Sequence, residues 1–166
     1  SGNITSVGGE MAMNLDGYVL AAGGFSVSSR AVGNADLGAI NGKSVDVELL
    51  QIDLIGVDLF VGAGGAFNTT NPGAFGVDTS NATGFSEDDA NLSVAIARLS
   101  DAAANDTRQW IGVVADANGL SLVGLPEVTL AADNLEVMFN QATGTNKGAA
   151  NEDFVDWSVL YPQTAD

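Results

Sequence analysis

The chain has 166 residues, of which 21 are acidic and 5 basic, so its net charge is −16, and it contains neither histidine nor cysteine. This composition excludes Ser-His-Asp and Cys-His catalytic centres, the usual zinc sites and iron–sulfur clusters. The charge also argues against nucleic-acid partners and anionic membrane surfaces. No apolar run is long enough for membrane insertion as a helix. The first residues lack a positive region followed by an apolar core, so no signal peptide is expected among them.

Hydrophobic residues make up 46% of the chain, and the acidic residues are dispersed along it rather than grouped in one block. Both features are typical of a folded domain with a solvated acidic surface, and not of a disordered acidic tail. We therefore expect one domain over residues 1–166, as a unit of a longer chain.

The first predicted strands follow from an alternation of apolar and polar residues with a period of two. Met11, Met13 and Leu15 begin this alternation, and its phase slips by one residue at Gly17 and again at Gly23-Gly24. A slip of one residue moves the apolar side chains to the other face of a strand unless the backbone bulges or turns a corner. The segment is therefore predicted to form short strands joined by bulges or corners.

The middle of the chain repeats this behaviour. Residues 45–49 alternate, the phase slips near Leu50-Gln51, and it slips back after Gly56 before the alternation of residues 57–61. Residues 87–103 fit either a strand or a helix, because Leu92 and Ile96 have spacings that suit both. We favour a strand there, since the neighbouring segments are predicted strands.

The last third of the chain is predicted to contain further strands over residues 120–122, 128–132 and 135–139. Three segments rich in Gly, Asn, Ser and Thr are predicted to be surface loops. These segments are residues 68–84, 100–107 and 143–153.

These patterns predict an all-β fold, either an elongated β-solenoid-like structure or a twisted multi-strand sheet with bulges. The alternative that the pattern leaves open is a β-sandwich. We expect strand content above roughly 40% and helix below about 15%, unlike average globular proteins. The predicted core residues are Leu15, Leu20, Phe25, Val47, Ile52, Leu54, Val57, Leu59, Val61, Leu122, Leu130, Leu135, Val137 and Phe139.

Clusters of carboxylates make calcium the one cofactor for which the sequence offers candidate ligands, because calcium takes six to eight oxygen ligands, often from acidic loops. The best candidates are Glu87, Asp88, Asp89 and Asn91. The spacing matches neither an EF-hand nor the nonapeptide of calcium β-rolls. Solvated acids that keep the protein soluble are the simpler interpretation. Weaker candidate groups are Asp116 with Asn118, Asp133 and Asn134 with Glu136, and Glu152 and Asp153 with Asp156.

Two other features were considered as signs of an enzyme, a glycine-rich segment and the carboxylates with the aromatic residues, and neither supports catalysis. The glycine-rich segment 62–67 lacks the spacing of a dinucleotide-binding or Walker loop, and is better explained as a turn at a strand end. A glycosidase needs only two carboxylates, but it usually has several aromatic residues along its sugar cleft. Trp110 and Trp157 are better explained as packing residues, so we predict that the chain is not an enzyme.

Five strings of residues stand out in order along the chain: NLDGYVLAAGGF (14–25), GVDLFVG (56–62), ANLSVA (90–95), LVGLPEVTL (122–130) and LEVMFNQ (135–141). Together they resemble a repeat module of very large exported bacterial proteins. Those proteins carry many tandem copies, often with hemolysin-type calcium repeats, cadherin-like modules or an N-terminal "LEPR" segment. The resemblance implies an all-β tandem unit and supplies no catalytic residue.

The resemblance predicts a structural role as a spacer or adhesive segment, outside the cell or on a bacterial surface. The expected partners are neighbouring modules of the same chain and a surface glycan or other surface ligand. The alternatives are a module that binds a glycan or an apolar ligand and, third, a carboxylate-dependent hydrolase.

Overall fold

The computed structural model describes residues 4–36, 44–68, 70, 75–155 and 157. Strands make up 72% of the structure, which confirms the prediction of an all-β fold with more than 40% strand. No described helix is long and apolar enough to cross a membrane. The strands are β1 (Ile4–Leu15), β2 (Val19–Asp36), β3 (Ser44–Ala63), β4 (Ala66–Asn68), β5 (Gly76–Asp78), β6 (Thr83–Leu99), β7 (Gln109–Ala117), β8 (Leu120–Val123), β9 (Ala131–Ala132), β10 (Leu135–Thr143), β11 (Thr145–Asn146) and β12 (Ala149–Ala150).

One large antiparallel sheet dominates the structure, in the order β1-β2-β3-β6-β7-β10. The sheet is not closed, so β1 and β10 form its two edges. Strand β6 pairs with β3 on one side, and with both β7 and β8 on the other. Strand β9 extends the sheet beside β8, while β4-β5 and β11-β12 are separate small hairpins. The ambiguous segment from residue 87 onward is a strand as far as Leu99.

The central strands are much longer than the short strands that the phase slips predicted. Strand β2 has 18 residues, β3 has 20 and β6 has 17. Only the slip at Gly56 is a bulge in its own strand: the β3 register shifts there against both neighbours, and Gly56 has a φ of 57°. Because of this extra residue, Leu54 and Leu59 stay on one face although their positions differ by five, an odd number.

The slip near Leu50-Gln51 has a different cause. Pairing is continuous there on both sides of β3, from Leu49 through Gln51. The backbone therefore continues without a bulge, and the apolar side chains themselves change from one face of the sheet to the other. Regular pairing carries such a change without strain, because successive side chains of a strand point to opposite faces.

One face of the sheet, which we call the core face, carries both hydrophobic clusters of the described residues. The first cluster lies near one end of β3, where Val155 and Trp157 from the chain after β12 pack over Leu49 and Trp110. The second lies near the other end, where Ala82, with Phe67 and Val77 of the β4-β5 hairpin beside it, packs over Leu20 and Phe60. Between the clusters the core face is polar, with Ser26, Asp53 and Ser93 in one cross-strand row.

The opposite face, which we call the bare face, carries three successive cross-strand rows that neither cluster of the described residues includes. Most of their members are apolar, and the middle row runs unbroken from β1 to β10. Its three rows are Thr5, Ser29, Leu50, Ile96, Ile111 and Gln141; Val7, Val27, Ile52, Val94, Val113 and Phe139; and Gly9, Phe25, Leu54, Leu92, Ala115 and Val137.

The predicted core is only partly confirmed. Leu20, Val47 and Val57 are buried, whereas Phe25, Ile52, Leu54, Leu59 and Leu122 are half-buried. The prediction is wrong for the exposed residues, most of which lie on the bare face or at its margins, where no described element covers them. These exposed residues are Leu15, Val61, Leu130, Leu135, Val137 and Phe139.

The strand predicted over residues 128–132 is also wrong for most of its length, since only Ala131 and Ala132 form a strand. A turn closed by a hydrogen bond from the amide of Val128 to the carbonyl of Leu125 precedes it. Pro126 lies inside this turn and has no amide hydrogen to donate to a neighbouring strand.

The three predicted loops are not entirely irregular. The segment 68–84 includes strand β5 and the buried Ala82, and residues 69 and 71–74 within it lie outside the described part. The segment 143–153 contains the β11-β12 hairpin. Of the three, residues 100–107 come closest to the prediction, with turns and one isolated bridge between Asp106 and Asn146.

Candidate functional site

Glu87, the first of the predicted calcium ligands, has a buried carboxylate in the middle of the sheet. It is only 3% exposed and lies on β6 beside the gap where β7 ends and β8 begins. One carboxylate oxygen accepts hydrogen bonds from the amides of Asn118 and Gly119, at 2.8 and 3.1 Å. The other oxygen accepts from Gly119 at 3.2 Å. The side chain thus replaces the backbone partner that these two amides lack at the interruption.

Asn91 has a comparable structural task on the same strand. Its side-chain oxygen accepts a hydrogen bond from the amide of Gly56, at the bulge of β3, at 3.0 Å. Its side-chain nitrogen donates to a carboxylate oxygen of Asp116 on β7, also at 3.0 Å. A single amide group therefore connects three neighbouring strands where the ladder between them is irregular.

Asp88 and Asp89 are the two predicted ligands whose side chains are exposed. They lie at an irregularity in β6, because the pairing of β6 with β3 shifts register between Glu87 and Ala90. Asp89 has a φ of 67° there. No three His, Cys, Asp or Glu side chains in the described part of the chain form a group that could hold a metal ion. Calcium binding at these residues remains a prediction.

The weaker calcium candidates are spread over separate places. Asp116 binds Asn91, while Asp133, Asn134 and Glu136 are exposed along the start of β10. Asp153 lies near Arg108, with 3.7 Å between the nearest nitrogen and oxygen, and Asp156 lies outside the described residues.

A basic residue near the start of β7 helps to hold the chain segment that covers one end of the core face. The guanidinium of Arg108 donates a bidentate pair of hydrogen bonds to the carboxylate of Asp106, at 2.9 and 2.7 Å. This hydrogen bond to Arg108 lowers the pKa of Asp106, and the same contact raises the pKa of Arg108. The guanidinium lies 6.0 Å from the ring centre of Trp110, whose indole donates to the carbonyl of Asp153 at 2.9 Å.

A groove of about 530 Å³ opens on the core face beside this covering segment. The indole of Trp157 lies against the backbone at Gly112, where an added Cβ would come within 2.5 Å of the ring. Glycine is therefore required for this close approach. Exposed Val114 and Met138 form the apolar part of the groove, with exposed fractions of 46% and 73%.

Polar side chains also line or border the groove, and most of their donors already have partners. Gln51 and Ser93 both donate to the carboxylate of Asp53, at 2.8 and 2.7 Å. Asn140 donates to the carbonyl of Val155 at 3.1 Å. The groove was not predicted from the sequence. The signal that could have indicated it is the phase slip near Leu50-Gln51, which places Gln51 and Asp53 on the opposite face from Ile52 and Leu54.

The bare face is a second exposed apolar surface of the described residues. Val7, Val137 and Phe139 at its two edges are 61%, 60% and 50% exposed. The residues between them are partly buried by their own neighbours in the sheet. None of the residues in the three rows is charged, in a chain whose charged residues make up 16% of the total.

Comparison with protein-family models, with curated proteins and with solved structures finds no match to this chain.

Proposed function

We propose that this chain is a structural module, a spacer or adhesive segment, of a large bacterial protein that is secreted or attached to the cell surface. The observation that supports this proposal most is the bare face. Soluble monomers rarely expose a contiguous apolar surface of this kind without a partner for it. Neighbouring modules of the same chain supply such a partner at high local concentration.

The composition and the resemblance to exported tandem modules support the same proposal. A net charge of −16 keeps the remaining surface solvated and weakens non-specific aggregation. Side chains that often act in catalysis have structural partners here: Glu87 binds backbone amides, and Asp53 binds Gln51 and Ser93. The proposed role is therefore not enzymatic.

The proposal is tested by comparing the single chain with two copies joined by a flexible Gly/Ser linker. If modules stabilise each other, the concatemer unfolds at a higher denaturant concentration than the single chain, and as one cooperative transition. A concatemer in which each copy unfolds as the single chain does would contradict the proposed role.

The groove beside Trp157 favours a second candidate function, the binding of a glycan or an apolar ligand. An indole next to exposed apolar side chains and to the amides of Gln51 and Asn140 is suited to a sugar ring. A glycan array tests this second function, because it predicts binding at the groove, whereas a spacer role predicts none. Asn140→Ala with Met138→Ala should then abolish that binding.

A further inference from the structure

We propose that two copies of this chain pack bare face against bare face. The inference rests on the proposed structural role and names the partner surface that this role requires. Its first support is the sequence pattern: Ile52, Leu54 and Phe139 alternate as core residues do, yet no described element of their own chain covers them. A second sheet packed on the bare face would bury these side chains, as their alternation predicts.

The size of the bare face suits this contact. Strands lie about 4.8 Å apart, and side chains on one face recur about every 6.8 Å along a strand. Three rows across the six strands from β1 to β10, each strand and row taken at its full spacing, therefore cover a footprint of roughly 29 by 20 Å. Side-chain relief and the apolar residues Met13, Leu59 and Val61 on the same face increase this area further. A stable interface buries about 800 Å² on each partner, which is the scale of this surface.

Charge distinguishes a second copy from other occupants. A basic partner finds no carboxylate within the three rows, and an anionic polymer or membrane is repelled by the net charge of −16. A second copy presents the same uncharged rows of mostly aliphatic and aromatic side chains, which can interdigitate at the roughly 10 Å spacing of packed sheets. At one margin the next row pairs Glu48 with Arg98 and so adds no net charge. At the other margin Glu87 is the cross-strand partner of Leu59, and it is only 3% exposed.

The net charge also determines how this association responds to salt. Two chains of charge −16 repel each other at long range, and salt screens this repulsion without weakening apolar contact. Dimer formation should therefore increase with sodium chloride. An interface held by opposite charges would show the reverse.

The test is sedimentation velocity of the single chain over a wide concentration range, at low and at high sodium chloride. Two double variants with the same charge change are compared, one on each face of the same edge strands. Val7→Lys with Phe139→Lys alters the bare face, and Ser6→Lys with Met138→Lys alters the core face. All four side chains are exposed, so both variants should retain the far-UV circular dichroism of the parent.

We expect the parent and the core-face variant to dimerise, and the bare-face variant to have a dissociation constant at least about tenfold higher. A parent chain that stays monomeric at every concentration and salt, or two variants that weaken the dimer equally, would overturn the inference. If the single chain stays monomeric while the concatemer is stabilised, only this inference fails and the proposed function stands. If neither effect is seen, both fail.

Discussion

The two faces of the sheet carry similar apolar patterns but differ in how far their side chains are buried. On the core face, Val47, Leu49 and Trp110 are almost completely buried, because Val155 and Trp157 pack over them. On the bare face, Val137 and Phe139 follow an equally regular alternation and remain at least half exposed.

The difference shows what a period of two can and cannot predict. Alternation determines which side chains share a face, since successive residues of a strand point to opposite sides. Whether that face is covered depends on other chain segments, and the alternation does not predict where those segments pack. The comparison of the two faces can be tested directly, and four experiments do so.

The largest expected effect comes from deleting matched aromatic side chains, one on each face. Trp110→Ala should lower the free energy of unfolding by about 3–5 kcal/mol, because it leaves a cavity and removes the indole hydrogen bond to Asp153. Phe139→Ala should cost about 0.5 kcal/mol in dilute protein at low salt, where the side chain is half exposed. Urea denaturation measures both. Equal losses would mean that the bare face is covered in the single chain.

The sheet that both faces share depends on the buried carboxylate of Glu87. Glu87→Ala should destabilise the chain by about 1–3 kcal/mol, because the amides of Asn118 and Gly119 lose their acceptor. Glu87→Gln retains one acceptor oxygen and should cost less. The exposed neighbour variant Asp88→Ala is the control, with an expected change of about 0.5 kcal/mol. If both alanine variants unfold at the same urea concentration, the carboxylate has no such role.

A smaller effect is expected from the ion pair that helps to hold the cover of the core face. Because Arg108 lowers the pKa of Asp106 in the folded chain, this pair stabilises the fold at pH values above the unfolded pKa of about 3.9. The contribution is lost as the pH falls from there through the lower folded pKa. At neutral pH, Asp106→Asn should cost about 0.5 kcal/mol.

Urea midpoints measured from pH 7 to pH 2 test this prediction. The difference between the parent chain and the Asp106→Asn variant should shrink as the pH falls. A difference that persists below the folded pKa of Asp106 would show that the pair does not cause it.

The smallest effect concerns the charged surface that surrounds the uncharged bare face. Screening should raise the melting temperature, and sodium, magnesium and calcium chloride should act equally at matched ionic strength. The reason is that Glu87 and Asn91, two of the predicted calcium ligands, already have protein partners. Thermal melts monitored by circular dichroism measure this response. An additional rise with calcium alone, removed by Asp88→Asn with Asp89→Asn, would instead establish the calcium site that the sequence predicts.

The fold class, and the grouping of residues on one face within each alternating run, could be predicted from the sequence, because both depend on local periodicity. The alternation around Ile52 and Leu54 predicts a strand, and their shared face follows from it. The meaning of a phase slip could not be predicted. At Gly56 the slip is a bulge, whereas at Leu50-Gln51 the apolar side chains change face along a regular strand.

The candidate sites were harder to predict, because they depend on contacts between residues distant in the chain. Glu87 resembles its neighbours Asp88 and Asp89 in sequence, and only the gap between β7 and β8 explains why it alone is buried. The groove likewise requires Trp157 to lie against Gly112, a pairing that no local pattern indicates. Trp110 is a packing residue as predicted, and its full burial supports that interpretation.

The two edges of the open sheet add a second direction of growth. Strands β1 and β10 each pair with only one described neighbour, so half of their backbone groups point outward and can template another strand. Contact between bare faces is closed after two copies, because each copy has one such face. Addition at an edge creates a new edge and does not close. A protein that combined both contacts would grow as a double-layered ribbon. The polar part of each core face, with Ser26, Asp53 and Ser93, would then lie on the two outer surfaces of the ribbon.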